Sequence, residues 1–295
     1  MMFKKVLIAG GGVLGSQIAL QNAVHGKEVT VYDISDDAVA AAKKRVASFK
    51  DLLVADIKEI SDEQAQADIA KITYTSDLAS ALKGIDLVIE AVPESLAIKK
   101  DFWNKASEAA DEQTVFATNS SSLLPSKIAE FVDRPTKFIA LHFANIVWSH
   151  NTAEIMAQPK TDADLPAQME TFAQEIGMVP ILVKKEQPGY VLNTILMPFL
   201  SAGMYLWYHG IADPDKIDKT WMIATGSPYG PFGILDVVGL RTVGNILKTS
   251  QDAESQGIAE KLQKEFVDQG KLGTETGEGF YKYPNPAFQQ ADFLK

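Results

Sequence analysis

Short apolar runs recur through the first 185 positions, each separated from the next by a longer amphipathic stretch. The runs at 4–9, 28–32, 86–91, 114–118 and 137–142 read as strands, and 152–157 and 180–183 as the strands that finish the sheet. Residues 13–25, 36–55, 62–70, 95–110 and 163–176 carry the spacing of helices. Strands apolar on both faces, alternating with helices, predict right-handed βαβ units and a parallel sheet covered on both sides. Lys184-Lys185-Glu186-Gln187-Pro188-Gly189 ends that pattern with charge, proline and glycine. Beyond it only helical spacing remains, over 190–209, 213–224, 236–249 and 256–269. The expected domains are 1–184, an α/β unit, and 185–295, a smaller all-helical one.

The first strand narrows the α/β class. Val6-Leu7-Ile8-Ala9 runs directly into Gly10-Gly11-Gly12-Val13-Leu14-Gly15, a Gly-x-Gly-x-x-Gly between a strand and a helix. Gly10 turns the chain sharply, Gly12 lets a pyrophosphate approach the backbone, and Gly15 lets the helix pack on the sheet. The helix that begins near Val13 aims free N–H groups and its positive dipole end at that phosphate. Gly26 is placed to cap it in the left-handed conformation, as Gly84 is for the helix before 86–91. The second strand ends on Asp33, where a carboxylate accepts the ribose hydroxyls of NAD. Asp33, Asp36 and Asp37 together, with no Arg immediately after them, repel the 2′-phosphate of NADP. The expectation is a Rossmann-type doubly wound sheet that binds NAD.

Composition adds exclusions. A net charge of −10 and the absence of a basic, aromatic-interleaved patch exclude a nucleic-acid surface. No cysteine is present, which removes disulfides, thiolate metal sites and thiol nucleophiles, and no metal site is expected. Together with an N-terminus that leads straight into the first strand, this reads as a cytoplasmic chain without a signal peptide. Residues 187–212 hold no Asp, Glu, Lys or Arg. That length could cross a bilayer, but Asn193, Pro198, Ser201 and Gly203 interrupt it, and a buried central helix of the second domain is the expected form. A helix apolar on so many sides also needs a cover, so a homodimer through the second domain is expected.

Four histidines are available for proton chemistry: His25, His142, His150 and His209. His25 and His209 fall at helix ends, where solvation and the helix dipole account for them. His142 ends an apolar strand, at the carboxyl edge where open α/β sheets hold ligands. Twelve residues later Glu154 lies inside the next apolar run, and a loop and return place it beside His142. A carboxylate there fixes the imidazole tautomer and raises the basicity of the other nitrogen. The same spacing also fits a hydrogen-bonded core histidine with Glu154 facing solvent. Thr118-Asn119-Ser120-Ser121-Ser122 follows another strand at the same edge, and can serve both as a helix cap and as a source of hydroxyls.

Five motifs in order resemble the NAD-dependent L-3-hydroxyacyl-CoA dehydrogenases: Ala91-Val92-Pro93-Glu94 with Lys99, Thr118 to Leu123, His142-Phe143-Ala144-Asn145, Gln187-Pro188-Gly189-Tyr190-Val191-Leu192-Asn193, and Gly277-Glu278-Gly279-Phe280-Tyr281. The resemblance implies an oxidoreductase that interconverts a 3-hydroxyacyl and a 3-ketoacyl compound, with a short-chain acyl-CoA as the expected substrate. It implies His142 as general acid–base for the 3-hydroxyl proton and Glu154 as the group that orients it. Ser121 is implied as a hydrogen bond to the reacting oxygen and Asn193 as a substrate contact. Glu94, Lys99 and Asn145 match cofactor-contacting positions, beside Gly10, Gly12, Val13, Leu14, Gly15 and Asp33.

Three departures concern the substrate. The helical pair after the second strand, where the family is usually basic, keeps Lys43-Lys44-Arg45 and Lys50, then turns to Asp51, Asp56, Glu59, Asp62 and Glu63 against Lys58. The family's proline after the Asn of the histidine loop is missing. The loop reads Asn145-Ile146-Val147-Trp148-Ser149-His150-Asn151, in which Trp148 and His150 can narrow the site; Trp148 is a candidate substrate contact, with an ordinary core position as its other reading. A basic cofactor contact of the family is Glu275 here. The histidine loop is similar to that of bacterial diketoreductases, which take free keto esters, so a 3-keto or 3,5-diketo acid or ester without CoA is the alternative substrate. A non-catalytic NAD-binding module is the remaining alternative.

Overall fold

In β1 (Lys5–Ala9), Val6 and Ile8 join the hydrophobic cluster on one face of the sheet, while Leu7 and Ala9 join the cluster on the other. That double burial is why the strand is apolar at every position. The computed structural model describes residues 2–295. Its first compact unit, Met1–Val191, continues with α1 (Val13–Val24), β2 (Glu28–Tyr32), α2 (Asp36–Asp56), α3 (Asp62–Ile69), β3 (Thr73–Thr75), α4 (Leu78–Ala81) and β4 (Leu87–Glu90). There follow α5 (Leu96–Ala109), β5 (Val115–Thr118), α6 (Pro125–Ile128), β6 (Phe138–Phe143), β7 (Thr152–Ala157), α7 (Leu165–Glu175) and β8 (Val179–Val183).

The eight strands form one sheet in the order β3-β2-β1-β4-β5-β6-β7-β8. The reversal between β1 and β4 is the switch point of a doubly wound fold, and it opens a crevice at the carboxyl edge. Two details differ from the expectation. β3, Thr-Tyr-Thr, is too short to show an alternation in sequence and extends the sheet beyond β2. The sheet is also not wholly parallel: β7 runs antiparallel to β6, because residues 144–151 return as a loop with no crossover helix. β8 then pairs parallel with β7 by way of α7.

The second compact unit, Leu192–Lys295, is helical: α8 (Leu192–Tyr208), α9 (Pro214–Thr225), α10 (Pro231–Val238), α11 (Leu240–Lys248) and α12 (Ala253–Glu265). The expected helix over 236–249 is two helices, broken at Gly239, whose φ of +92° no continuing helix accepts. Asp252 caps α12 through the amide of Ser255, which starts that helix earlier than its apolar spacing indicated. Asp218 and Asp236 are fully buried and serve as internal acceptors. Asp218 takes the amides of Phe232 and Gly233 at the start of α10, and Asp236 those of Phe280 and Tyr281 in the tail. Burial raises the Asp236 carboxyl to about 6, against those hydrogen bonds. Among the described residues no helix is long and apolar enough to cross a membrane.

Candidate active site

The glycine loop has the shape that its spacing requires. Gly10 adopts φ +100°, and a Cβ there would lie 2.6 Å from the Ala91 carbonyl oxygen. A Cβ on Gly15 would lie 1.9 Å from the Gly10 carbonyl oxygen, so only glycine lets α1 start this close to β1. Gly12 is the N-cap residue of α1; its Cβ direction has nothing within 4 Å. No side chain caps α1 and no acid occupies its first turn, which leaves the N–H groups after Gly12, at exposed Val13 and half-buried Leu14, for an anion. Asp33 Oδ2 accepts the Gly11 amide at 2.8 Å, which holds the carboxylate beside the loop. Arg45 of α2 donates to the Gly11 carbonyl. The residues present fit NAD: an open phosphate cradle, a helix N-terminus and a ribose acceptor.

At the ends of β4 and β5 a second group forms. Glu90 and Lys99 are buried and paired at 2.6 Å, and Lys99 also faces Glu94 at 3.3 Å. Burial pushes the Glu90 carboxyl up, against the pull of Lys99 and the Thr118 hydroxyl. Glu94 Oε1 accepts from Ser120 Oγ at 2.6 Å, from the Ser122 amide at 2.9 Å and from Ser122 Oγ at 2.8 Å. Burial alone would raise Glu94, but these hydrogen bonds and Lys99 outweigh it and hold the carboxyl down at about 2. Glu94 thus anchors the serine loop as an anion. Lys99, expected to face a cofactor, is buried behind Glu94. Ser121 lies at the middle of this anchored loop, and its hydroxyl makes no hydrogen bond among the described residues.

His142 and Glu154 are direct partners across β6 and β7, and His142 Nδ1 donates to Glu154 Oε2 at 2.9 Å. The residues are 5% and 3% exposed, so the pair is dry on the Nδ1 side. The carboxylate makes Nδ1 the protonated nitrogen, and Nε2 carries its lone pair with no protein partner among the described residues. Glu154 Oε1 accepts the Val191 amide at 2.8 Å. The Tyr190 ring lies on the imidazole, centroids 4.6 Å apart and planes 13° from parallel. Asn119 Oδ1 accepts the Phe143 amide at 3.0 Å and so joins the end of β5 to the end of β6.

The loop after His142 is tied down from two helices. Gln17 of α1, buried, accepts the Ile146 amide at 2.6 Å and the Val147 amide at 3.3 Å. Ile146 takes φ +60°, costly for a β-branched residue by on the order of 1–3 kcal/mol. A proline in its place would have neither that φ nor an N–H to give. We expect Gln17→Leu, which leaves both amides without an acceptor, to lower unfolding stability by about 1–3 kcal/mol. An unchanged urea midpoint would remove Gln17 from this role. From the other side, Asp56 of α2 accepts Trp148 Nε1 at 2.8 Å and Ser149 Oγ at 2.6 Å. Of the two readings of Trp148, the structure gives the core position: it is 4% exposed, packs on Phe49 and lies in the hydrophobic cluster of that face. Asn145 is exposed, with its carbonyl held by His150 Nδ1 at 2.8 Å. Asn193 stands in the first turn of α8, in the second unit.

The structure therefore brings His142 and Glu154 together, and joins them to the serine loop by Tyr190 and Asn119. Gln17, Glu90 and Asn119 were not singled out from sequence. Gln17 and Glu90 had a visible mark, a polar side chain in an otherwise buried segment, as in Val88-Ile89-Glu90-Ala91.

Residues 5–187 match the family described as 3-hydroxyacyl-CoA dehydrogenase, NAD binding domain, and residues 189–283 match the 3-hydroxyacyl-CoA dehydrogenase, C-terminal domain. The chain belongs to the 3-hydroxyacyl-CoA dehydrogenase family. It is an NAD-dependent oxidoreductase of that family, and the match to the NAD binding domain spans the glycine loop. It is 32% identical to the mitochondrial hydroxyacyl-coenzyme A dehydrogenase of Sus scrofa, over 96% of this chain and 92% of that one. Among solved structures it is similar to a diketoreductase described in the catalysis of dicarbonyl compounds, with 51% identity, a TM-score of 0.91, and coverage of 96% of this chain and 100% of that one. It is also similar to the (S)-3-hydroxybutyryl-CoA dehydrogenase of Ralstonia eutropha, at 31% identity, a TM-score of 0.79, and 96% and 99% coverage.

Proposed function

We propose that this family member reduces the keto group of a free 3-keto or 1,3-dicarbonyl compound and, in reverse, oxidises the 3-hydroxy product. NADH, when bound, would supply the hydride for reduction and NAD would take it up in oxidation, and the protein handles the proton. The observation that carries the reading is the buried His142–Glu154 pair, which leaves His142 Nε2 as the one ring nitrogen available to the substrate oxygen. In the oxidation direction Nε2 accepts the 3-hydroxyl proton, and the Glu154 carboxylate balances the imidazolium that forms. In reduction the same proton returns to the oxygen. The Ser121 hydroxyl, held by the Glu94 anchor on its neighbours, hydrogen-bonds that oxygen. Asn145 as a cofactor contact and Asn193 as a substrate contact enter through the family resemblance.

The choice of a substrate without CoA rests on the helical pair α2–α3. CoA phosphates need unpaired cations. Lys50 is paired with Asp51 at 3.1 Å and with Asp62, and Arg45 is committed to the Gly11 carbonyl, which leaves Lys43 and Lys44 as the cations of α2 without an ion pair among the described residues, against the acids at 51, 56, 59, 62 and 63. The similarity to a diketoreductase at 51% identity supports the same choice. The test compares NADH oxidation with acetoacetyl-CoA and with a free acetoacetate ester. We expect kcat/KM for the ester to be higher by ~10-fold or more, about 1.4 kcal/mol in transition-state binding. A preference for the thioester overturns the CoA-free reading and leaves a 3-hydroxyacyl-CoA dehydrogenase. The exposed Ile195, Met197 and Tyr205 of α8 support a homodimer built through the second unit.

A further inference from the structure

We propose that Tyr190 is a positioning residue for the proton transfer: its ring fixes the plane of the His142 imidazole, and its hydroxyl ties that plane to the serine loop. The inference rests on the reading of His142 as the acid–base group.

The Nδ1 hydrogen bond to Glu154 leaves the imidazole one freedom, to swing and tilt about that contact. Tyr190 removes it by covering one face of the ring at 4.6 Å with nearly parallel planes. The phenol is itself immobile. It is 1% exposed, and its hydroxyl donates to the Ser120 carbonyl at 2.8 Å. Burial, then the Glu154, Glu94 and Glu90 carboxylates, push that hydroxyl far up, so it stays a neutral donor and takes no part in moving the proton.

The backbone around it serves the same site. The Gly189 amide donates to the Ser121 carbonyl at 3.1 Å, and the Val191 amide donates to Glu154 Oε1 at 2.8 Å. Three consecutive residues thus address Ser121, His142 and Glu154. The geometry requires φ +53° at Tyr190, a left-handed conformation that costs a non-glycine residue about 1–2 kcal/mol. An ordinary core aromatic needs no such backbone. The strain puts the ring over His142 while its two neighbours reach the other groups.

The experiment measures kcat and KM with NADH and a free 3-keto ester for Tyr190→Met, Tyr190→Phe and His142→Gln. Methionine keeps the bulk and removes the flat ring, whereas phenylalanine keeps the ring and removes the tie to Ser120. We expect Tyr190→Met to lower kcat by ~10–100-fold with the NADH KM within about twofold. Tyr190→Phe should restore kcat to within about fivefold of the natural chain. Should Tyr190→Met not fold, the phenylalanine variant still tests the tie, with a kcat reduced by ~2–5-fold expected and an unchanged kcat overturning it. An undiminished kcat in folded Tyr190→Met overturns the proposal, as does a phenylalanine variant no better than the methionine one. A His142→Gln enzyme that keeps turning over fails the acid–base reading itself, whereas an inactive His142→Gln beside an unimpaired Tyr190→Met fails Tyr190 alone.

Discussion

Replacing His142 by glutamine is expected to lower kcat by ~10²–10⁴ and to leave NADH affinity nearly unchanged. Glutamine keeps a donor that can reach Glu154 and fills most of the same buried volume, so the loss isolates proton transfer from packing. The side chain sits at the end of β6, whereas the proposed phosphate cradle is at the end of β1, so the substitution is expected to leave the nucleotide's phosphate contacts in place. Steady-state NADH oxidation gives kcat, and NADH fluorescence titration gives the affinity. Turnover within about tenfold of the natural chain would remove general acid–base catalysis by His142, since one such group is worth at least ~10².

The second large effect separates two glycines three residues apart, Gly12 and Gly15. Gly12→Ala should fold normally, because its φ of −62° and ψ of −171° suit alanine and its Cβ direction has nothing within 4 Å. Its unfolding free energy is expected to stay within about 0.5 kcal/mol. NADH affinity should nevertheless fall by ~10–100-fold, because the new methyl group occupies the space proposed for the pyrophosphate. Gly15→Ala is the opposite case. Its Cβ falls 1.9 Å from the backbone oxygen of Gly10, and a backbone atom cannot move aside as a flexible side chain does. A loss of about 1–3 kcal/mol or more in stability is expected there. Melting curves with and without NADH read both variants. A Gly12→Ala chain that binds NADH as tightly as the natural one contradicts the cradle.

Strands buried on both faces were legible in sequence because they are apolar throughout, and the positions of His142 and Glu154 were legible because strand ends are where such sheets place ligands. β3 was not: in Thr73-Tyr74-Thr75 there is neither an apolar run nor length enough for a period. Trp148 was left between two readings because nearness in sequence to His142 says nothing about where a loop folds back, and this one folds under α2 onto Phe49 and Asp56. The acidic stretch was noted only as a departure from the family's basic helical pair, yet Asp56 within it is the anchor of Trp148 and Ser149. Tyr190 was visible as part of a motif, but its role depends on a left-handed backbone and a stack between residues 48 positions apart, which no local pattern encodes.

The antiparallel pairing of β6 and β7 has a consequence for how this enzyme can change over generations. His142 faces Glu154 because they share a rung of the ladder, and every neighbouring rung is set with it: Leu141 with Ile155, Phe143 with Ala153. The proposed proton-handling pair thus depends on the register of two buried strands. In the loop that joins them, 144–151, the exposed positions Asn145 and His150 can change without altering that register, whereas Ile146, Val147 and Trp148 are tied to the core. A one-residue slip in the ladder, by contrast, would turn the carboxylate to the opposite face of the sheet. A shift of register would therefore part His142 from Glu154 at a stroke, whereas a change at an exposed loop position leaves their rung in place.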